Sequence, residues 1–273
     1  MLEFYKEPGV TPLEFINNIK KQYPDRKVCY TARLDPMARG IIPVLFGDEC
    51  KHMHLYTNLS KTYEVKVMIG YKTDSDDVLG ILERQAMQDT QDTQDTQDTQ
   101  DTQDKQDTHE TQDTHIYQIN NLDTKKLISK YKSIFEIENE ITIEQKYHYF
   151  STKLLLARSK CKDKNNNNNI DNTHNVKLLS SKIIDNGELD FNEWVNECIS
   201  IINKVDKTKD FRQKHIMEQW EKEKEINMKI QYITLQLHVG SGFFVRQYIR
   251  DISDKIGIPL LCYDIHRISI DYL

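Results

Sequence analysis

The chain has 273 residues, enough for one large domain or two small ones and for a sizeable core. Its formal net charge is −6, with Lys+Arg 37 against Asp+Glu 43, which excludes the uniformly basic signature of a simple nucleic-acid binder. That average hides a partition, because residues 88–115 hold nine acidic residues against the single base Lys105 and carry −8, leaving +2 for everything else. Five cysteines (Cys29, Cys50, Cys161, Cys198, Cys262) are scattered, odd in number and without a C-x-x-C pair, which is the pattern of reduced thiols and not of a disulfide frame or zinc site. The N-terminus lacks a basic-then-apolar leader, and runs such as Ile41-Ile42-Pro43-Val44-Leu45-Phe46 are too short to span a bilayer. A soluble, cytoplasmic protein without a membrane partner is the expectation.

The first helix is signalled by Thr11-Pro12-Leu13-Glu14, an N-cap, a proline at the first helical position and a glutamate for a capping box. Leu13, Ile16, Ile19 and Tyr23 would form its apolar face, and Pro24-Asp25 closes it. Thr62 to Ile69 alternates as a half-buried strand, with Tyr63, Val65, Val67 and Ile69 inward. From Gln88 the chain runs as nine triplets, mostly Gln-Asp-Thr. A period of three fits neither a helix nor a strand face, so residues 86–115 are expected to be a disordered insertion. Asp123 can cap a helix carrying Leu127, Ile128 and Tyr131. Residues 160–177, with five consecutive asparagines, read as a flexible loop. Asp190 and Glu193 start a helix with the stripe Trp194, Val195, Cys198, Ile201, Ile202 and Val205. Residues 230–239 alternate again, with Ile233, Leu235, Leu237 and Val239 inward. Gly240-Ser241-Gly242 breaks that strand, and Val245, Tyr248, Ile249, Ile252 and Ile256 mark a helix ended by Gly257 and Pro259. Strands and helices in irregular order predict an α+β fold with a mixed, largely antiparallel sheet flanked by helices.

Familiar chemical motifs are few. There is no G-x-x-x-x-G-K loop, and His52 and His54 lack partners in metal-ligand spacing. The segment Thr31 to Val44 stands apart, because Asp35 precedes Pro36 and is flanked by Arg33 and Arg39, two of only nine arginines. A residue before proline is held extended, which fixes the carboxylate. The residues alone leave two readings of Asp35 open, an Asx-turn aspartate that shapes the loop or a functional carboxylate.

Cys29-Tyr30-Thr31-Ala32-Arg33-Leu34-Asp35-Pro36-Met37-Ala38-Arg39-Gly40 resembles G-H-T-G-x-L-D-P-x-A-T-G, the catalytic motif of TruB-type tRNA pseudouridine synthases. Lys6-Glu7-Pro8-Gly9 is similar to that family's K-P-x-G, and Lys61-Thr62-Tyr63 to its K-x-Y. The run from Gly70 to Gly80 is similar to G-x-x-T-D-T-D-D-x-x-G, and Gly242-Phe243-Phe244-Val245-Arg246 with Arg250-Asp251 to G-x-[YF]-[IV]-R…D. Ile265-His266-Arg267 resembles L-R-R, and Gln145 with Phe150-Ser151-Thr152 a Q…Y-S-A stretch. The resemblance implies the pseudouridine synthase catalytic fold over 1–273, with no C-terminal PUA domain. It implies a monomer acting on RNA, with the TΨC-loop uridine of tRNA as target. Asp35 would be the catalytic aspartate, Tyr63 the aromatic over the target base and the base for its final proton, and Arg246 the partner of Asp35. Phe244 and Ile265 would line the pocket, Tyr30 would contact the RNA loop, and Arg33, Arg39, Lys61 and Arg250 would contact phosphates. The reaction is an isomerisation without redox change, so no metal and no cofactor is implied. Two departures, Tyr30 for the family's histidine and Ala32 for its glycine, also admit a synthase acting on a different RNA, or a decayed RNA-binding or RNA-folding module. Removal of 88–115 is expected to leave fold and turnover nearly unchanged.

Overall fold

A computed structural model of the chain describes residues 1–83, 124–146, 173–224 and 229–272. The repeat insertion expected at 86–115 and the Asn-rich stretch up to residue 172 lie outside the described residues, as do Asp123 and Phe150 to Thr152.

The strands are β1 (Leu2–Lys6), β2 (Val28–Tyr30), β3 (Arg39–Phe46), β4 (Lys61–Ile69), β5 (Ile141–Lys146), β6 (Thr173–Asp190), β7 (Lys229–Val239) and β8 (Leu260–Ile270). The helices are α1 (Pro12–Gln22), the single turn α2 (His54–Thr57), α3 (Thr124–Phe135), α4 (Phe191–Lys204), α5 (Gln213–Glu223) and α6 (Val245–Ile256). One sheet runs in the order β1-β3-β8-β4-β7-β6-β5, with β2 paired to β3 on the edge opposite β1, since Val44 pairs with both Leu2 and Tyr30. The β3–β8 pair is parallel and the other pairs are antiparallel, so the expected mixed, largely antiparallel α+β architecture is what the chain forms.

Alternation along the central strands loads both faces of the sheet. Tyr63, Val65, Val67 and Ile69 of β4, Ile233, Leu235, Leu237 and Val239 of β7, and Cys262 and Ile265 of β8 share one core with α1, α3 and α6. Met68, Ile230, Leu261 and Tyr263 point the other way and pack with α4 and α5, where Trp194 and Trp220 meet edge to face at 5.1 Å. Each such fully buried aliphatic side chain contributes about 1.5–3 kcal/mol. The indole nitrogen of Trp220 donates to the Val78 carbonyl at 3.2 Å, which ties α5 to the loop after β4.

The capping box of α1 forms as its sequence predicts, with the Glu14 amide donating to the Thr11 hydroxyl at 3.2 Å and the Thr11 amide to the Glu14 carboxylate at 2.9 Å. Its buried stripe is Phe15, Ile16 and Ile19, and Leu13 is 49% exposed. Leu13 lies at the margin of that stripe, which is centred toward Phe15. The expected flexible loop at 160–177 needs correction at its end, because Thr173 to Lys177 open β6 and pair with β5 from Lys146 to Thr142. Two register shifts, between Leu178 and Ser180 and between Ile183 and Asp185, move the inward positions of β6 and hide its alternation.

Candidate active site

Asp35 sits in the loop between β2 and β3, and that loop is fastened from beneath by two buried cations. Lys6, wholly buried, donates to the carbonyls of Glu7 at 3.2 Å, Pro36 at 3.2 Å and Ala38 at 2.6 Å. Arg267 on β8 is also wholly buried, and donates from Nε to the Ile41 carbonyl at 2.7 Å and from Nη1 to the Arg33 carbonyl at 3.3 Å. The Gly9 amide adds a bond to the Pro36 carbonyl at 2.8 Å. A loop without a strand partner must satisfy its carbonyls in this way, and its shape is therefore set by side chains from β1 and β8. Burial lowers the Lys6 pKa to about 8, and Asp35 works in the opposite direction.

Arg246, in the first turn of α6, is the hub. Its Nη2 lies 2.9 Å from Asp35 Oδ2, and its Nη1 donates to Asp77 Oδ2 at 3.0 Å and to the Ser75 carbonyl at 2.9 Å. Its side chain is 11% exposed, that of Asp77 5% and that of Asp35 50%, so Asp35 is the one of the three that reaches solvent. Burial works against the Arg246 charge, but Asp35 and then Asp77 outweigh it and hold the guanidinium protonated. Burial pushes the Asp77 carboxyl upward against the pull of Arg246. Asp77 Oδ1 accepts from the Ser75 hydroxyl at 2.8 Å and the Leu79 amide at 3.0 Å, which fixes its orientation.

Sequence reasoning did not assign Asp77 a role. The run Asp74-Ser75-Asp76-Asp77 was visible as a motif, but its logic is spatial, since each of its three aspartates takes its own arginine. Asp74 pairs with Arg212, Asp76 with Arg250 at 2.7 Å and Asp77 with Arg246. The partners come from α6 and from the residue preceding α5.

A pocket of about 560 Å³ opens over Asp35 and Arg246, and Tyr63, Phe244, Ile265, Lys61 and Arg33 line it. Tyr63 and Ile265 reach it from neighbouring strands, β4 and β8, and Phe244 from the N-cap of α6. Phe244 is held by Gln145 of β5, whose Nε2 donates to the Phe244 carbonyl at 3.1 Å and whose Oε1 accepts from the Phe244 amide at 2.9 Å. Gln145 is wholly buried, and the Phe244 ring meets His174 edge to face at 5.0 Å. An ionisable carboxylate beside an apolar slot of this kind can hold a planar ring and act on a group attached to it.

Three of the expected contact residues lie outside the pocket lining. Arg39 forms a bidentate pair with Asp264, at 2.9 and 2.7 Å, and donates to the Tyr5 hydroxyl at 2.9 Å. Arg250 is held by Asp76, and Tyr30, half-buried on β2, packs against the core. Lys61 is buried with its Nζ bonded to the Leu59 carbonyl, and burial, then Arg267, lowers its pKa to about 8.

Residues 20–140 match the family model described as TruB family pseudouridylate synthase, N terminal domain. The tRNA pseudouridine synthase B of Blochmanniella floridana is 38% identical over 81 residues, which are 30% of this chain and 32% of that protein. That of Oceanobacillus iheyensis is 30% identical over 90 residues, 33% of this chain and 30% of that protein. The matched stretches thus span about a third of the length of these relatives. A chain in a solved Cbf5-Nop10-Gar1 complex aligns over 97% of this chain and 47% of its own length, with a TM-score of 0.47 at 12% identity.

Proposed function

We propose that the chain, whose residues 20–140 match the TruB family model, isomerises a uridine in structured RNA to pseudouridine, with the TΨC loop of tRNA as its target. The observation that carries this reading is the 2.9 Å pair of Asp35 and Arg246 at a pocket lined by Tyr63, Phe244 and Ile265. These five residues come from four separate parts of the chain.

The reaction breaks the N1–C1′ bond, turns the uracil, joins C5 to C1′ and releases the C5 proton, while N1 takes up a proton, so that product and substrate are isomers. Asp35 either adds to the nucleotide or removes a sugar proton, and both routes require it ionised and aimed. Arg246 meets both requirements, since its guanidinium faces Asp35 while Asp77 and the Ser75 carbonyl hold its other nitrogen. Tyr63 and Phe244 give the detached uracil flat surfaces against which to turn, and Tyr63 takes the C5 proton. A pocket of about 560 Å³ admits a base turned out of its RNA stack, not a duplex.

Tritium release from C5-labelled uridine in a tRNA transcript tests the proposal. The wild-type chain releases tritium, and Asp35→Asn releases essentially none while still binding the transcript. No release from any structured RNA by the wild type would sink it.

A further inference from the structure

Two cysteines meet at the base of the hairpin that carries Asp35. Its arms are β2 and β3, and their register pairs Cys29 with Leu45. Two residues to either side, the Gly47 amide donates to the Lys27 carbonyl at 2.8 Å and the Thr31 amide to the Pro43 carbonyl at 3.2 Å. Bonded pairs alternate along an antiparallel ladder, so Cys29 and Leu45 are the bonded pair between them. The Cys50 thiol, from the 3-10 turn Gly47–His52 that follows β3, donates to that same Leu45 carbonyl at 3.3 Å and lies 3.7 Å from the Lys27 carbonyl. Val28 and Phe46 turn into the core, so Cys29 points to the opposite face, where its thiol is within hydrogen-bonding reach of Cys50. Both thiols are free and half-buried, whereas Cys198 and Cys262 are fully buried. In the motif that residues 29–40 resemble, the first position is glycine, so the pair belongs to this chain and not to the pattern.

We infer that Cys29 and Cys50 form a dithiol site that a low-molecular-weight disulfide, such as oxidised glutathione, converts to a reversible disulfide within the chain. The bridge ties β2 to the turn after β3, and it closes residues 29–50 into a ring that contains the whole Asp35 loop. Thiols that already share one carbonyl and touch each other need little backbone movement to join. Burial, and then the Cys50 sulfur, push the Cys29 thiol up to about 11, with Lys27 working the other way, so attack on the oxidant starts from Cys50. The Cys50 thiolate bonds to one glutathione sulfur and expels the other as a thiolate. Cys29 then gives up its proton and bonds to the Cys50 sulfur, and the second glutathione leaves with the electron pair of the mixed disulfide. In sum two protein thiols are oxidised, one glutathione disulfide is reduced to two glutathione thiols, and the two protein protons pass to them. The site stands on this geometry alone and does not depend on the synthase reading.

Incubation of the folded full chain with oxidised glutathione at about pH 8, followed by alkylation and peptide mapping by mass spectrometry, tests this. The expected product is a peptide cross-linked through Cys29 and Cys50, with two titratable thiols lost and both recovered in dithiothreitol. The oxidised chain unfolds at a urea midpoint about 1 M higher than the reduced one, because the bridge constrains the unfolded chain. Cys29→Ser stops at a glutathione adduct on Cys50, and Cys50→Ser leaves Cys29 largely unmodified. If either variant does not fold, the cross-link map of the wild type decides. A bridge through Cys161, Cys198 or Cys262, stable glutathione adducts on both Cys29 and Cys50 without a bridge, or two thiols that stay reduced in the folded chain would each overturn the site. An oxidised chain with an unchanged urea midpoint would overturn the ring as a constraint on the hairpin.

Discussion

Asp77→Asn isolates the group that holds the hub of the site without touching the pocket. Asp77 is 3% exposed, and its two oxygens divide the work, Oδ1 accepting from Ser75 and Leu79 and Oδ2 from Arg246 at 3.0 Å. An asparagine that keeps its oxygen toward Ser75 and Leu79 must present its NH₂ to the Arg246 guanidinium, donor against donor. The lost charge-assisted bond is worth about 1.5–3 kcal/mol, and the cheaper burial of a neutral amide offsets part of it, so the net loss of stability is about 1–2 kcal/mol. The effect on rate is larger in consequence, because Arg246 then keeps only Asp35 and the Ser75 carbonyl to fix its position. A loss of about 2 kcal/mol in orienting the transition state corresponds to about 30-fold in the single-turnover rate. Single-turnover tritium release, RNA affinity and the urea midpoint are measured together. Release slows about 30-fold, RNA affinity holds, and the midpoint falls. A rate within about threefold of wild type in a folded Asp77→Asn chain would refute the reasoning. The substitution also changes the acid limb. Burial raises the folded pKa of Asp77, so the fold takes up that proton before the unfolded chain does. Asp77 therefore contributes a stability that falls as pH rises from about 4 toward the raised value, and Asp77→Asn removes that slope.

Gly40 and Gly47 both have positive φ, 122° and 58°, but differ in what surrounds them. A Cβ on Gly40 would sit 2.2 Å from the Arg267 carbonyl oxygen and one on Gly47 meets nothing within 4 Å, so Gly40→Ala costs more than about 3 kcal/mol and Gly47→Ala about 1 kcal/mol in urea unfolding. Lys61 leads to a signed pH effect. Its folded pKa of about 8 lies below that of the unfolded chain, so wild-type stability rises relative to Lys61→Met between about pH 8 and 10.5, by up to about 3 kcal/mol. Taking that difference cancels the buried thiols of Cys198 and Cys262, whose raised pKa values pull stability down at high pH in both proteins. A flat difference across that range would show that folding does not lower the Lys61 pKa. Gln145→Ala removes both bonds to the Phe244 backbone, and a loss of about 2 kcal/mol in RNA-complex formation with a smaller effect on the urea midpoint is expected from fluorescence anisotropy.

The chain's own residues settle most of its local structure. Thr11 to Glu14 dictate the start of α1 because a capping box is satisfied within four residues, and the alternation in β4 and β7 dictates which side chains enter the core because strand geometry has a period of two. The resemblance of Asp35, Tyr63, Phe244, Arg246 and Ile265 to a known motif set marked the pocket residues before any geometry was known, and the fold places all five in its lining. What local pattern could not carry was any feature that depends on two distant segments meeting. The long strand β6 was missed because two bulges break its alternation, and Thr173 to Lys177 are strand because β5 supplies their partners. Leu13 and Phe15 exchange places because the angle at which α1 meets the sheet selects the buried stripe. Arg39 and Arg250 were expected to contact phosphates, and in the fold Arg39 pairs with Asp264 and Arg250 with Asp76. The same holds for Asp77 and Arg267, whose importance lies wholly in what they face, one a guanidinium 169 positions away and the other a loop 234 positions away. A buried charge is decided by its partner, and only the tertiary structure brings the partner into place.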